Sequence, residues 1–284
     1  MTDDPRTLLA RHGLAAKKSW GQNFLVDEKV YEAIVDATAT APDDWIVEIG
    51  AGLGTLTSRL ADAVPDGRVL AVERDRDMIK VLERELATRT NVEVRAENAL
   101  TFDYAAARQR SGKPLAVAGN LPYQIATPLL FNLLEGRQHI ARAVVMLQKE
   151  MADRLLARPG TSEYGALGVM IALHAELRPV IKARAGAFFP PPKVDSAVVA
   201  LVPLAAPRVP VDPARFRQVV QASFGQRRKT LRNALRSLWQ AGTVDAALGG
   251  AAIDGGRRGE TLSVEEFGRL ADHLPSPGAH AGAS

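Results

Sequence analysis

The amino-acid sequence predicts an α/β fold with a Rossmann-like, doubly wound sheet, followed by a small all-helical C-terminal domain. An apolar, β-branched run at residues 45–49 leads straight into a glycine-rich turn, the pattern of a buried strand, a tight turn and a helix. Further strand patterns alternate with helical patterns, which indicates parallel strands with crossover helices. After the proline-rich stretch 203–210, the pattern is one of short helices.

The glycine-rich turn predicts a ligand site. Gly50, Gly52 and Gly54 let the backbone turn tightly and approach a ligand closely. A dinucleotide fingerprint would have glycine where this chain has Thr55, and a P-loop would close with a Lys-Ser or Lys-Thr pair. The turn therefore favours a nucleoside without a pyrophosphate.

The next two strands supply polar groups for such a nucleoside. The second strand, residues 68–72, ends at Glu73, and Asp75 is placed to cap the following helix. A carboxylate at this position of a doubly wound sheet accepts from ribose hydroxyls, so we prefer that role to a solvated strand end. The third strand, 92–95, leads to residues 97–100, where a polar side chain can bond an adenine amino group.

The fourth strand, residues 115–118, delivers the segment Asn120-Leu121-Pro122-Tyr123. The Asn120 oxygen and a main-chain carbonyl of the Leu121-Pro122 turn can hold the two hydrogens of an exocyclic amine and aim its lone pair at an electrophile. Proline fixes the turn, and Tyr123 offers a face for stacking the base. An ordinary Asn-Pro turn is the plainer interpretation, but its place after the fourth strand favours the functional one.

Four further segments, in this order, extend the pattern over the chain: Lys17-Lys18-Ser19-Trp20-Gly21-Gln22-Asn23-Phe24-Leu25, Gln148-Lys149-Glu150-Met151-Ala152-Asp153-Arg154-Leu155, Phe188-Phe189-Pro190-Pro191-Pro192-Lys193-Val194-Asp195-Ser196 and Phe224-Gly225-Gln226-Arg227-Arg228-Lys229-Thr230-Leu231. With these segments the chain resembles the small-subunit ribosomal RNA adenine dimethyltransferases, the KsgA/RsmA family, over essentially its whole length.

The resemblance implies a class I S-adenosylmethionine-dependent methyltransferase. It implies transfer of two methyl groups to N6 of each of two adjacent adenines in the 3′-terminal hairpin loop of 16S rRNA, in the 30S particle. The residues that the resemblance assigns to the cofactor are Asn23, Leu25, Gly50, Glu73, Asn98 and Asn120. The family pattern has Asp more often where this chain has Asn98; Asn keeps an acceptor oxygen for the adenine amine but carries no charge.

The resemblance also implies that Phe188 or Phe189 covers the face of the target adenine opposite Tyr123. A paired Phe before prolines is otherwise a core feature. A base held between aromatic rings must leave its stack. Unstacking costs less free energy for an adenine in a loop than for one in a helix, so a loop adenine is the favoured substrate.

Basic residues indicate a nucleic-acid partner. The net charge is +4, and residues 215–236 hold seven Arg or Lys and no Asp or Glu. Helical spacing there puts Phe216, Val220, Leu231, Leu235 and Leu238 inside. It leaves for RNA phosphates the residues Arg227, Arg228, Lys229, Arg232 and Arg236. A solvated face is the alternative. Lys17 and Lys18, in a predicted loop, are further candidates for phosphate contacts.

The predicted organisation has five parts. We expect a flexible basic segment at 1–26, the methyltransferase domain at 27–205, a stiff linker at 206–211, a helical RNA-binding domain at 212–274 and a disordered tail at 275–284.

Several function classes are disfavoured. The chain has no cysteine, which excludes disulfides and thiolate metal sites, and its five His lack ligand spacing, so we expect no metal. No apolar stretch reaches the roughly 20 residues of a membrane span, and no signal-peptide pattern is present. We expect a cytoplasmic monomer.

Three alternatives stay open. A resistance-type 23S rRNA dimethyltransferase would share the fold and the Asn-Leu-Pro-Tyr chemistry. A DNA adenine methyltransferase is less favoured, because those enzymes usually carry proline where this chain has Leu121. The protein could also act as an assembly factor of the 30S particle whose methylation is incidental.

Overall fold

The structure is a computed structural model that describes residues 3–17, 21–226 and 228–275, and of Tyr123 the backbone alone. The chain forms two compact units. The first consists of residues 1–152 and 177–203, and the second of residues 153–176 and the chain from residue 204 onwards.

The strands are β1 (Phe24–Leu25), β2 (Trp45–Ile49), β3 (Arg68–Glu73), β4 (Val92–Ala96), β5 (Leu115–Asn120), β6 (Ile140–Gln148), β7 (Ala175–Ala183), β8 (Phe188–Phe189) and β9 (Ser196–Pro203). The helices are α1 (Pro5–Arg11), α2 (Glu28–Thr38), α3 (Thr55–Ala63), α4 (Arg76–Glu85), α5 (Tyr104–Ser111), α6 (Ala126–Glu135), α7 (Lys149–Leu156), α8 (Ala166–Ala172), α9 (Pro213–Gly225), α10 (Leu231–Leu235), α11 (Ala241–Gly250) and α12 (Val264–His273).

The main sheet has the strand order β4-β3-β2-β5-β6-β9-β7. Strands β2 to β6 pair in parallel, and β9 pairs antiparallel to β6. After β2 the chain first adds β3 and β4 on one side, then returns to place β5 on the other. The carboxyl ends of β2 and β5 therefore flank the point where the strand order reverses, which is where open α/β sheets bind ligands.

The predicted parallel α/β architecture is confirmed, with strands two residues longer at β5 and one residue longer at β3 and β4 than the sequence patterns indicate. The apolar strands are buried on both faces, as parallel strands covered by helices must be. Asp75 caps α4 as predicted, because its carboxylate accepts from the Asp77 amide at 3.0 Å.

Parts of the segment predicted as flexible, residues 1–26, form regular structure among the described residues. Asp4 caps α1, and Leu8 and Leu9 are buried against Leu53 and Met78. Residues 24–25 form β1, which pairs antiparallel with β8. Helix α1 buries its apolar side against the first unit. This burial explains why a short segment without a long periodic pattern forms a helix here.

The second unit also begins earlier than the predicted boundary at 205. Helix α8 contributes Val169 to a core built with Phe216 and Phe267 of α9 and α12. The predicted linker 206–211 packs on the same unit, since the Arg208 amide donates to the Leu173 carbonyl at 2.8 Å. The chain enters the second unit at residue 153 and returns to the first at residue 177. The composition does not change at residue 153, so it could not predict this boundary.

Candidate active site

A cavity lies at the carboxyl ends of β2, β3 and β5 in the first unit. Its floor is the glycine-rich turn, in which Gly50, Gly52 and Gly54 have φ of 73°, 55° and 78°. Residues other than glycine rarely adopt this left-handed conformation. A Cβ on Gly52 would lie 3.3 Å from a ring carbon of Phe24, so the absent side chain also leaves room for that ring. The structure thus agrees with the turn predicted from the sequence.

Glu73 borders the cavity at the end of β3. One carboxylate oxygen accepts from the Gly52 amide at 3.0 Å, and the other accepts from the amides of Arg74 and Asp75, each at 2.8 Å. Three main-chain donors hold the carboxylate in place, because both of its oxygens accept hydrogen bonds. Of the roughly four lone-pair sites of the carboxylate, the one left is on the oxygen that accepts from Gly52, and a ribose hydroxyl would meet it there.

Asn98 lies on the same cavity wall, after β4. Its side-chain oxygen accepts from the Leu100 amide at 3.1 Å and so begins the short 3₁₀ helix Ala99–Thr101. The side chain is exposed. The structure therefore places Asn98 at the cavity, and its side-chain oxygen already accepts one hydrogen bond.

Asn120 ends β5 and lines the cavity opposite these residues. Its side-chain nitrogen donates to the Asn23 carbonyl at 3.1 Å, which directs the nitrogen end of the amide toward the N-terminal segment. The oxygen end of the amide then faces away from this contact, and its role as the acceptor for an incoming amine stays a prediction. Leu121 is buried, and its amide donates to the Met146 carbonyl at 3.1 Å, while the Pro122 carbonyl accepts from Ile125 at 3.0 Å. The side chain of Tyr123 lies outside the described residues.

The N-terminal segment closes the cavity with Asn23, Phe24 and Leu25. The Leu25 carbonyl accepts from the buried Tyr31 hydroxyl at 2.6 Å, and the same hydroxyl lies 2.7 Å from Oγ1 of Thr55, the first residue of α3. Asn23 and Leu25 therefore reach the predicted cofactor site, and the Tyr31 hydroxyl joins this segment to the helix that follows the glycine-rich turn.

The structure distinguishes the two paired phenylalanines. Phe188 is 2% exposed and belongs to the core of the first unit, so it presents no face to a target base in this structure. Phe189 is half-buried, pairs in register with Phe24, and has the Arg6 guanidinium 5.2 Å from its ring centroid. Of these three aromatic residues, Phe24 is the one that lines the cavity. Base stacking by Phe189 stays a prediction.

Three of the basic candidates form ion pairs with carboxylates in the structure. Lys17 lies between Asp75 and Asp77, with its Nζ 2.7 Å from an oxygen of each, so it is engaged in the structure rather than presented to phosphates. Arg232 and Arg236 both pair with Asp245, at 2.9 and 3.3 Å. Lys18 and Arg227 lie outside the described residues.

Arg228 and Lys229 are exposed, in the bend between α9 and α10. The predicted run is therefore two helices with a bend between them, because α9 ends at Gly225 and α10 begins at Leu231. Of the residues predicted to face inward, Leu238 does not: it is 48% exposed, beyond the end of α10.

Among the cavity residues to which the sequence assigned no role are Phe24, Tyr31 and Glu48. Glu48 is 2% exposed, and its Oε2 has no hydrogen-bond partner. Burial raises the pKa of the Glu48 carboxyl to about 8. The sequence does contain a sign that Glu48 is unusual, since it is the one acidic residue in the otherwise apolar strand β2. No local pattern marks the other two.

In the described part of the chain, no group of three His, Cys, Asp or Glu is arranged to hold a metal ion. Nor does any described helix combine the length and apolarity that crossing a membrane requires.

A model of one protein family, described as ribosomal RNA adenine dimethylase, matches residues 13–275. The chain belongs to this family. A ribosomal RNA small subunit methyltransferase A of Myxococcus xanthus (strain DK1622) is 50% identical over 273 residues, covering 94% of each chain. A protein of the same name from Geobacter sulfurreducens (strain ATCC 51573 / DSM 12127 / PCA) is 44% identical over 271 residues, covering 94% of this chain and 98% of the relative.

Two solved structures of family-like proteins share the fold. A dimethyladenosine transferase from Plasmodium falciparum has a TM-score of 0.74 at 25% identity, covering 87% of this chain and 95% of that one. The 23S rRNA methyltransferase ErmE has a TM-score of 0.69 at 30% identity, covering 89% and 99%. The class I methyltransferase fold and the family resemblance predicted from the sequence are confirmed, and the protein is a methyltransferase.

Proposed function

We propose that this family member transfers methyl groups from S-adenosylmethionine to N6 of two adjacent adenines in the 3′-terminal hairpin loop of 16S rRNA, within the 30S particle. The product is N6,N6-dimethyladenosine. The observation that carries the proposal is the cavity that Glu73, Asn98 and Asn120 line together, at the carboxyl ends of β3, β4 and β5. The names of the relatives that match nearly the whole chain support the small-subunit substrate.

The cavity fits S-adenosylmethionine. Glu73 and Asn98 offer oxygen acceptors for ribose hydroxyls and for an adenine amine. The glycine-rich turn carries no side chain at Gly50 or Gly52, so the backbone can approach the ligand there. Glu48 offers a buried oxygen without a partner to a positively charged group. When bound, the cofactor supplies an electrophilic methyl group on a sulfonium sulfur.

The chain's own residues position the nucleophile. A purine amine is a poor nucleophile because its lone pair is delocalised into the ring. The Asn120 oxygen and a carbonyl of the Leu121-Pro122 turn accept the two amine hydrogens and direct the lone pair into the cavity. The proton leaves after attack, so no strong base is needed beside the amine, and positioning carries most of the rate.

The second candidate function is dimethylation of 23S rRNA. The similarity to ErmE favours it specifically, because the two proteins share the fold at 30% identity. The higher identity to small-subunit enzymes weighs against it. A role in small-subunit biogenesis, as an assembly factor, is compatible with activity on the 30S particle. That substrate would place the enzyme in the cytoplasm, and we propose that it acts as a monomer.

Methyl transfer from labelled S-adenosylmethionine tests the proposal. Undermethylated 30S subunits, 50S subunits and duplex DNA are offered in parallel, and nucleosides are analysed by mass. We expect dimethyladenosine from 30S subunits alone. Dimethyladenosine from 50S subunits would assign the second candidate function, and binding to 30S subunits without methylation would leave the assembly role.

A further inference from the structure

Glu48 is an acidic residue in the middle of the main sheet. It lies on β2, opposite Ala71 of β3 and Ala118 of β5. The side chain is 2% exposed, lines the cavity, and has one carboxyl oxygen without a hydrogen-bond partner. A buried acid that serves packing alone is expected to have its oxygens paired, because a buried acceptor without a partner loses its hydrogen bonds to water and gains none in return.

The described residues near Glu48 do not supply a positive partner for its carboxylate. Thr57 of α3 is beside the carboxyl, and its hydroxyl favours the charged form, but burial outweighs this effect and raises the pKa of Glu48 to about 8. Glu73, at the end of β3, acts in the same direction as burial because it is also negative. Tyr31 of α2 is neutral. The nearby cation Arg59 stacks over the Tyr31 ring at 4.0 Å and donates to the Thr55 carbonyl at 2.8 Å.

An apolar residue or a glutamine would fill this position without burying an ionisable group. A buried acid becomes favourable when the ligand of the cavity brings a positive charge, because the ion pair then forms where water is excluded. S-adenosylmethionine has two such charges, a sulfonium and an ammonium group.

We propose that Glu48 is a neutral carboxylic acid in the cofactor-free enzyme and becomes the carboxylate counter-ion of a positive group of the cofactor, so that cofactor binding releases a proton to solvent. The step balances: one O–H bond of the acid breaks, the proton goes to the buffer, and the carboxylate pairs with the cation. This inference rests on the proposed cofactor and adds a residue that recognises its charge.

Two consequences can be measured. At pH 7 an acid with a pKa of about 8 is mostly protonated, so binding should release close to one proton. The affinity for S-adenosylmethionine should also rise with pH, by about tenfold between pH 6.5 and 8, until the free acid is ionised.

Isothermal titration calorimetry of the full-length protein with S-adenosylmethionine, in phosphate and in Tris at pH 7, counts the protons released. The same titrations at pH 6.5 and 8 give the affinity change. Glu48→Gln keeps the shape of the side chain but cannot ionise, so its binding should release no proton and should be flat with pH. Glu83→Gln, an exposed residue of α4, is the matched control and should behave as the wild type.

S-adenosylhomocysteine identifies the charge that Glu48 meets. It retains the ammonium group but lacks the sulfonium. Proton release with both ligands assigns the ammonium, and release with S-adenosylmethionine alone assigns the sulfonium; either result supports the proposal.

Binding of S-adenosylmethionine by the wild type without proton release, and without a rise in affinity between pH 6.5 and 8, would overturn it. Because the wild-type titration decides this alone, a variant that fails to fold does not remove the test. A wild-type enzyme that binds no S-adenosylmethionine would instead refute the proposed cofactor.

Discussion

At the scale of single residues, Asn120 combines two tasks in one amide. Its nitrogen holds the Asn23 carbonyl at 3.1 Å, and its oxygen is assigned to the substrate amine. The first contact is visible in the structure and the second is proposed. The two are connected, because an amide that donates from its nitrogen end has a defined direction for its oxygen.

We predict that Asn120→Ala lowers the turnover number on 30S subunits by a hundredfold or more, on the order of the loss that a misplaced reacting group causes. The dissociation constant for S-adenosylmethionine should change by less than about tenfold, because one net hydrogen bond contributes about 1 kcal/mol. Single-turnover methylation and calorimetry measure the two effects separately.

Asn91→Ala is the matched control. The Asn91 nitrogen bonds the carbonyls of Ala61 and Val64 at 2.8 and 3.1 Å, and the residue is not among those lining the cavity. This variant should lose thermal stability and keep its turnover number. Near wild-type turnover by Asn120→Ala would refute the assigned role.

Glu48 also leads to a prediction about stability. Its pKa rises from 4.5, the value of an unperturbed Glu, to about 8 in the folded protein. Between these values the folded state binds a proton that the unfolded state has released, so the free energy of unfolding falls as pH rises. The loss is at most about 1.4 kcal/mol per pH unit.

Glu48→Gln removes this contribution. The Tm of the variant minus that of the wild type should therefore increase from pH 5 to pH 8, measured without cofactor by thermal denaturation. A constant difference across this range would mean that Glu48 is already ionised in the folded protein.

At the scale of elements, the cavity is made by pieces that the chain keeps far apart. The Tyr31 hydroxyl on α2 reaches both the Leu25 carbonyl of β1 and the Thr55 hydroxyl at the start of α3. The N-terminal segment and the glycine-rich turn thus share one contact. We infer that this contact sets the width of the cavity between them.

Tyr31→Phe should weaken S-adenosylmethionine binding by about three- to tenfold, the effect of losing roughly one hydrogen bond. Tyr104→Phe is the control: Tyr104 is equally buried, but its hydroxyl has no hydrogen-bond partner and it does not line the cavity. Its loss should leave affinity unchanged and stability unchanged or higher. Equal affinities for Tyr31→Phe and the wild type would contradict the inferred role.

Some cavity residues could be predicted from the sequence, and others could not. Gly50, Glu73 and Asn120 were predictable because each follows directly from a strand of a parallel sheet, whose carboxyl ends meet at one edge. The pairing of Lys17 with Asp75 and the burial of Phe188 were not. Both depend on contacts between residues distant in sequence, and residue type alone does not say whether a cation is paired or which of two adjacent rings faces inward.

At the scale of the whole molecule, the cavity and the exposed basic bend lie in different units. All residues lining the cavity belong to the first unit, whereas Arg228 and Lys229 belong to the second. Changes in the second unit should therefore alter 30S binding without altering cofactor binding. Salt dependence distinguishes the two effects, because contacts with phosphates release counterions and cofactor binding does not.

We predict that Arg228→Gln with Lys229→Gln weakens binding to 30S subunits and flattens the plot of log affinity against log salt concentration by roughly 0.7–0.9 per lost phosphate contact. Arg232→Gln with Arg236→Gln removes the same charge but from residues paired with Asp245, so its slope should change less. Filter binding at several salt concentrations compares the two, with calorimetry confirming unchanged cofactor affinity. Equal slopes in the two double variants would mean that net charge, rather than the exposed bend between α9 and α10, determines the attraction to RNA.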